Sequence, residues 1–275
     1  MLRLALLVLG LAGAARAGAA PRPDAPAAGP GIPVAGVGFA DPVGKRVYLP
    51  AKAGGVEAVD LETGKPLWLN KDAGRVFGAA GGSVLGYRAT GNKPNEFAVV
   101  LVDAVTGKTA ATSDPVALPE WADTEPAWGR QFSVTARAGK GELVVTWRAA
   151  THYAGGAAPT EEIEKAARRS AGGRVNLDPM TGRVTKVVEL KAGDKALDPP
   201  AGEVPATAGG LEFRLTAGRA KPGLAADDLT PRTVSAWKGG KQVWEREILG
   251  VFNPLAVPSS APPAAAGGAL RPKAE

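Results

Sequence analysis

A five-residue motif, Asp-x-x-Thr-Gly, occurs three times in this chain of 275 residues, at 60–64, 103–107 and 178–182. In each copy a strand-like stretch containing valine precedes the Asp, and an extended stretch follows the Gly. An Asp carboxylate can accept hydrogen bonds from the backbone N–H groups of a turn, and Gly readily adopts the positive φ that a hairpin loop needs. The motif therefore predicts a β-hairpin at each copy. A fourth copy around Gly240 keeps the glycine but lacks the Asp and the Thr.

Two further strands are predicted before each hairpin, because alternating apolar residues stand there between Gly-rich turns. Four units of four short antiparallel strands indicate an all-β fold, a β-propeller of about four blades. One short helix is predicted at 160–170, with Thr160 as its N-cap. The predicted strand pairs are 34–39 with 46–50, 75–79 with 83–90, 131–138 with 142–150, and 203–208 with 211–217.

The hairpin resembles the repeat of the pyrroloquinoline-quinone-type (PQQ-like) β-propeller family, whose pattern is Ala-x-Asp-x-x-Thr-Gly-x-x-x-Trp. The first unit has every specified residue, whereas the later units are degenerate. The Ala position holds Ala58, Leu101 and Asn176, and the closing Trp position holds Trp68, Ala111, Lys186 and Trp244. The resemblance implies a propeller fold and little about activity, since the repeat occurs in enzymes, scaffolds and sensor domains.

Relatives of this family usually have seven or eight blades, which leaves the closure of a four-blade ring in question. A ring closed within one chain is the favoured arrangement. The alternative is an open arc whose exposed strands pair with another chain, so that two arcs form one larger ring in a homodimer.

The ends of the chain have a composition unlike that of the repeats. Residues 1–17 have the features of a signal peptide, with Arg3 before an apolar stretch and a small-x-small cleavage site. Residues 18–33 are predicted to be an Ala/Pro/Gly-rich linker, 34–252 the propeller, and 253–275 a disordered Pro/Ala-rich tail. We expect a periplasmic or secreted protein without a lipobox cysteine and without an integral membrane segment in the mature chain.

Composition excludes several kinds of site. The chain has no cysteine and one histidine, His152, so thiolate nucleophiles, disulfides, Cys-ligated zinc and paired imidazoles are excluded. No metal and no cofactor are expected. The resemblance offers a quinoprotein dehydrogenase as a further alternative, but those enzymes place a vicinal Cys pair beside the quinone. The net charge of +6 is spread along the chain, which fits an anionic envelope surface better than nucleic acid.

Strand alternation places the longest loops on one face of the propeller, at 91–96, 113–130, 153–173, 191–202 and 218–232. Loops gathered on one face of a rigid scaffold commonly carry binding sites. Segment 113–130 interleaves acids with tryptophans, a combination that suits sugars or cationic groups. The candidate binding residues are Trp121, Asp123, Glu125, Trp128 and His152.

Two interpretations of segment 113–130 compete with binding. In one, both tryptophans pack between blades and the acids are solvated. In the other, Glu120, Asp123 or Glu125 serves a carbohydrate-active enzyme that uses paired carboxylates. We expect a non-enzymatic binding or scaffold protein that recognises an envelope protein, peptide or glycan through the long-loop face.

Overall fold

The computed structural model describes residues 31–34, 37–80, 82–91, 93–125, 129–138, 141–153, 155, 159–190, 207–217 and 232–249. These residues form four antiparallel sheets and one short helix, which confirms the all-β fold of four propeller blades. The predicted signal peptide and the predicted tail, residues 1–17 and 253–275, lie outside the described residues. No helix in the described part of the chain is long and apolar enough to cross a membrane.

The blades follow one another along the chain, and each is a meander of neighbouring strands. Blade 1 contains β1 (Ile32–Val34), β2 (Gly38–Asp41), β3 (Arg46–Pro50), β4 (Val56–Asp60) and β5 (Pro66–Asn70); blade 2 contains β6 (Arg75–Ala80), β7 (Ser83–Thr90), β8 (Lys93–Asp103), β9 (Thr109–Thr112) and β10 (Val116–Ala117). Blade 3 contains β11 (Arg130–Ala138), β12 (Leu143–Thr151), α1 (Glu161–Ala167), β13 (Arg169–Leu177) and β14 (Val184–Leu190); blade 4 contains β15 (Thr207–Ala208), β16 (Leu211–Ala217), β17 (Arg232–Lys238) and β18 (Lys241–Ile248).

Three segments differ from their predicted structure. The helix predicted at 160–170 covers only Glu161–Ala167, and residues 169–173 of the predicted loop 153–173 belong to β13, where they pair with β12. Residues 34–39 do not form one strand, because the chain turns back between β1 and β2, where the N–H of Val37 donates to the carbonyl of Val34 at 3.0 Å. Residues 93–96 belong to β8 and residues 116–117 form β10, which pairs with β8. Blade 2 therefore has a long third strand whose outer partner is split into β9 and β10, so that part of two predicted loops is sheet.

The Asp-x-x-Thr-Gly turns share one geometry. Asp60 Oδ1 accepts hydrogen bonds from the N–H of Thr63 at 2.8 Å and from its hydroxyl at 2.8 Å. Gly64 has a φ of 67°, in the left-handed region that favours glycine. Asp103 and Asp178 accept from the backbone of their own turns in the same way. The predicted hairpins are thus confirmed, together with the reason for their sequence.

Neighbouring blades meet through apolar faces, and one contact recurs. The indole N–H of Trp68, in blade 1, donates to the carbonyl of Ala104 in the turn of blade 2 at 3.2 Å, and the ring packs on Gly107. In blade 4, Trp244 donates to Leu61 of blade 1 at 2.9 Å and packs on Gly64. Each closing tryptophan therefore docks onto the turn of another blade.

Three buried clusters lie between blades 4 and 1, blades 1 and 2, and blades 2 and 3. The first contains Val47 with Phe213, the second Tyr48 with Val100, and the third Tyr87 with Val145. Backbone contacts support the first pairing, since Ala51 forms an isolated bridge with Ile248. Among the described residues the blades are therefore ordered 4-1-2-3 in space.

Candidate functional site

The connections of the propeller lie on two faces. Each Asp-x-x-Thr-Gly turn lies beside an earlier turn of the same blade. In blade 1 that earlier turn joins β2 to β3, and the N–H of Leu61 donates to the carbonyl of Lys45 there at 2.9 Å. The opposite face, called the long-loop face here, carries the described residues 51–55, 71–74, 118–125, 129, 152–153 and 159–168. Of the predicted long loops, 191–202 and most of 218–232 lie outside the described residues.

A cleft of about 220 Å³ opens on the long-loop face between blades 1 and 2. Its lining includes Gly54, Gly55 and Gly74, which present backbone, together with Arg75, Tyr87 and Glu125. The remaining walls are Arg88 and Ala89, at the end of β7, and Leu249, which follows β18. A Cβ at Gly74 would lie 3.1 Å from the carbonyl oxygen of Tyr87, so the glycine allows the two backbone segments to approach closely.

An ion pair joins two walls of the cleft. The Nη2 of Arg75 lies 3.2 Å from Oε2 of Glu125. The side chain of Arg75 is only 13% exposed, whereas that of Glu125 is 66% exposed. A guanidinium has five N–H donors. A poorly hydrated cation, whose one ion pair among the described residues is with Glu125, thus lies next to a carboxylate that is largely exposed to solvent.

Tyr87, whose ring packs in the cluster between blades 2 and 3, adds no charge to the cleft. Burial raises its pKa to about 12, because ionisation would place a charge among apolar neighbours. Its ring packs edge-on against Phe97 and Phe132. The phenol therefore stays protonated at neutral pH, and the charges of the cleft are those of Arg75, Arg88 and Glu125, with a net charge of +1.

The candidate residues of segment 113–130 separate into different roles. Asp123 Oδ1 accepts from the N–H of Glu125 at 2.9 Å, and its Oδ2 lies 2.9 Å from Nη1 of Arg130, so both oxygens hold the loop. Trp121 is half-buried and packs on the cluster between blades 2 and 3. Glu125 is the candidate that reaches the cleft. Trp128 lies outside the described residues.

His152 lies at the end of blade 3, away from the cleft walls. Its backbone N–H donates to the carbonyl of Gly129 at 2.9 Å, and the residue is exposed. The helix that follows begins at Thr160, whose hydroxyl accepts from the N–H of Ile163 at 3.4 Å, as expected for an N-cap. Among the described residues, no three His, Asp or Glu side chains are grouped as metal ligands.

Sequence reasoning did not identify Arg75, Tyr87 or the three glycines of the cleft. None of them belongs to a motif, and they come from different elements: Gly54, Gly55 and Gly74 from connections, and Arg75 and Tyr87 from strands β6 and β7. A partial signal exists in Gly54-Gly55 and Gly74-Arg75, where glycines mark close backbone approach next to a charged residue at the start of a strand.

No family model matches the chain, and no curated protein matches it. Among solved structures, a europium-containing methanol dehydrogenase aligns with 80% of this chain and 42% of its own, at 16% identity and a TM-score of 0.33. Quinohemoprotein alcohol dehydrogenases align as well: ADHIIG from Pseudomonas putida at 16% identity and a TM-score of 0.30, covering 75% of this chain and 33% of its own, and the enzyme from Comamonas testosteroni at 13% and 0.27, covering 74% and 39%.

This chain spans less than half the length of those dehydrogenases. The identities and TM-scores are too low to carry their activity over to it. The residues of the cleft also do not fit the quinone site that the repeat resemblance implies, because the chain has no cysteine and the cleft is smaller than the roughly 300–1,000 Å³ of small-molecule sites.

Proposed function

We propose that this chain is an exported, non-enzymatic β-propeller that binds a partner in the envelope through its long-loop face, and that the cleft at Arg75 receives a carboxylate of that partner. The observation that carries the proposal is the ion pair of Arg75 with Glu125. A guanidinium that is 13% exposed and held by one exposed carboxylate is arranged for exchange, with Glu125 standing where an incoming carboxylate would bind.

The size of the cleft supports a part of a larger partner as its occupant. About 220 Å³ accommodates one side chain, one chain terminus or one sugar-sized group. Backbone walls at Gly54, Gly55 and Gly74 allow an extended segment to come close. The net positive charge of the walls favours an acidic group, such as an Asp side chain or a peptide C-terminus.

The carbohydrate-active alternative has less support from the geometry. Both oxygens of Asp123 are engaged in holding the loop, and Glu125 is paired with Arg75. A glycoside hydrolase needs two carboxyl groups facing one bond from opposite sides. The same acids therefore serve better as elements of a binding surface.

The test is a titration with a simple carboxylate. The tripeptide Ac-Ala-Ala-Ala with a free C-terminus is compared with its amidated form and with glucuronate, and the backbone amides of Gly54, Gly55 and Gly74 are followed by NMR. We expect shifts with the free peptide and none with the amide. Glucuronate binding as tightly as the peptide would make an acidic glycan the partner.

Two substitutions test whether an incoming carboxylate replaces Glu125 on Arg75. Arg75→Gln should weaken binding about tenfold or more, since a charge-assisted hydrogen bond contributes about 1.5–3 kcal/mol. Glu125→Gln should strengthen binding by up to about fivefold, because it removes a competing exposed ion pair of about 0.2–1 kcal/mol. Arg183→Gln, in an Asp-x-x-Thr-Gly turn on the opposite face, is the matched control and should change nothing. Weaker binding in the Glu125 variant would contradict the exchange of carboxylates.

A further inference from the structure

In three blades the residue in the Trp position contacts the turn glycine of a neighbouring blade, and blade 3 lacks this contact among the described residues. In each blade, the residue in the Ala position lies on the strand before the Gly-containing turn. It pairs with the residue in the Trp position, which lies on the strand after that turn. The pairs are Ala58 with Trp68, Leu101 with Ala111, Asn176 with Lys186, and Ala236 with Trp244. We call the face that bears this pair the forward face of its blade.

The forward faces of three blades are covered by a neighbour. Trp244 docks on Gly64, Trp68 docks on Gly107, and Ala111 lies against Gly182, where a Cβ on the glycine would be 3.1 Å from that of Ala111. In blade 4, by contrast, a Cβ on Gly240 would have no described atom within 4 Å. Among the described residues, the turn that would receive the forward face of blade 3 is therefore uncovered.

The forward face of blade 3 is polar and basic. It carries Arg137, Arg174 and Lys186 around Asn176, in the register of the sheet. The Nε of Arg174 and the Oδ1 of Asn176 are shielded from water and have no hydrogen-bond partner among the described residues, while the side-chain amide of Asn176 donates to Glu142 at 2.9 Å. Val144, which pairs with both Arg137 and Asn176, is a buried apolar residue of this face. The described residues place no apolar cluster between this face and another blade, and the face contains polar atoms whose hydrogen-bonding capacity is unused.

The face of blade 4 at the other end of the 4-1-2-3 order is acidic. The face of blade 4 that points away from blade 1 carries Glu212 and Glu245, on either side of Ser235 and Arg214. Arg214 is committed within that face, since it pairs with Glu212 at 2.8 Å and its guanidinium lies 4.4 Å from the ring of Trp237. Glu245 is exposed, accepts from the neutral amide of Gln242 at 3.1 Å and has no ion pair among the described residues.

We infer that the forward face of blade 3 binds the acidic face of blade 4 of a second copy of this chain. Charge complementarity and the uncovered turn at Gly240 point to the same pairing. In the order 4-1-2-3, these two faces are the ones at the two ends, where a neighbouring blade would continue the series. A two-fold axis repeats the contact, so two copies close one ring of eight blades, at the upper end of the range of about four to eight in propellers.

Charge exchange tests the pairing. The first variant, Arg174→Glu with Lys186→Glu, makes the blade 3 face acidic; the second, Glu212→Lys with Glu245→Lys, makes the blade 4 face basic. Solution mass is measured by light scattering across a dilution series. We expect the wild-type chain to have twice the mass of one copy and each variant alone to have the mass of one copy. An equimolar mixture should recover the doubled mass, since both contacts of the mixed ring are then complementary.

A matched control changes charge elsewhere. Lys108→Glu with Arg183→Glu, in the Asp-x-x-Thr-Gly turns, should leave the doubled mass intact. A wild-type chain with the mass of one copy at every concentration would overturn the inference, and the two polar faces would then be caps of the kind that end repeat arrays. A dimer whose mass neither variant alters would overturn it too, because the copies would then meet through another surface.

Discussion

The indole of Trp244 packs so closely on Gly64 that a Cβ at position 64 would lie 2.7 Å from its Cγ. These residues join the last described strand to the first Asp-x-x-Thr-Gly turn. The contact requires two properties of glycine at once, the absence of a side chain and a φ of 67°.

We predict that Gly64→Ala destabilises the fold considerably more than Gly240→Ala. Both positions have a positive φ, which costs an L-residue about 1–2 kcal/mol. Only Gly64 also faces an indole, so its substitution must displace the ring as well. Urea denaturation gives the two free energies of unfolding. Equal losses would show that the docking of Trp244 contributes nothing.

The ion pair of Glu57 with Arg246 should stabilise the contact between blades 1 and 4. Its two hydrogen bonds, at 3.1 and 2.7 Å, link side chains that are 10% and 31% exposed. The pKa of Arg246 is raised because Glu57 holds the charged guanidinium. We expect Glu57→Gln to reduce the free energy of unfolding by about 1–3 kcal/mol.

The neighbouring exposed pair of Lys52 with Glu247 supplies the control for that measurement. Its side chains are 66% and 43% exposed. Exposed ion pairs contribute about 0–1 kcal/mol, so Glu247→Gln should have a small effect in the same denaturation experiment. A larger loss with Glu247→Gln than with Glu57→Gln would contradict the importance given to the buried pair.

Acid should weaken the turns through Asp60 and Asp178. The pKa of Asp60 is lowered, chiefly by the Thr63 hydroxyl, and that of Asp178 chiefly by the N–H of Met180. A carboxyl group with a lowered pKa in the folded state adds stability that is present above its unfolded pKa, about 3.9, and is lost as pH falls through the folded value. Thermal unfolding followed from pH 6 downwards should show this loss below about pH 4.

Thr63→Val is the variant that isolates the cause. It removes the hydroxyl that donates to Asp60 at 2.8 Å and keeps the size of the side chain. The pKa of Asp60 should then rise toward its ordinary value, and the pH dependence of the melting temperature should become shallower. An unchanged pH profile would mean that other carboxyl groups cause the acid sensitivity.

Trp121→Ala separates packing from recognition. The side chain is half-buried against the cluster between blades 2 and 3, so its loss should lower the free energy of unfolding by about 1–3 kcal/mol. Because Trp121 does not line the cleft, the affinity for Ac-Ala-Ala-Ala should stay the same. If the variant remained folded but lost affinity for the peptide, Trp121 would have to be counted as a binding residue.

Local chemistry explains what the sequence predicts well. The hairpin turns follow from Asp, Thr and Gly at fixed spacing. Strand 211–217 follows from alternation, with Leu211 and Phe213 buried on one side, whereas strand 83–90 is an apolar run whose residues 84–87 are buried on both sides. The helix is predicted from its N-cap, Thr160, and in the structure Glu164 pairs with Arg168 one turn later at 2.7 Å.

The remaining features depend on contacts between distant segments. β10 follows Pro115, and a Pro normally marks a loop, yet the Ser113 hydroxyl accepts from the N–H of Val99 at 2.9 Å and carries the chain onward along β8. The cleft could not be predicted, because Gly55, Arg75 and Leu249 become neighbours only after blades 1, 2 and 4 have assembled.

The seam between blades 4 and 1 has a consequence for how the chain is made. Val47, Leu49 and Val59 are buried there against Phe213, Val234 and Trp244, residues that a ribosome adds more than 150 positions later. Throughout that interval the nascent first blade presents an apolar sheet face without its cover. Such a face is what holding chaperones bind, so a chain truncated before β16 should be retained by them or aggregate rather than accumulate as a smaller propeller.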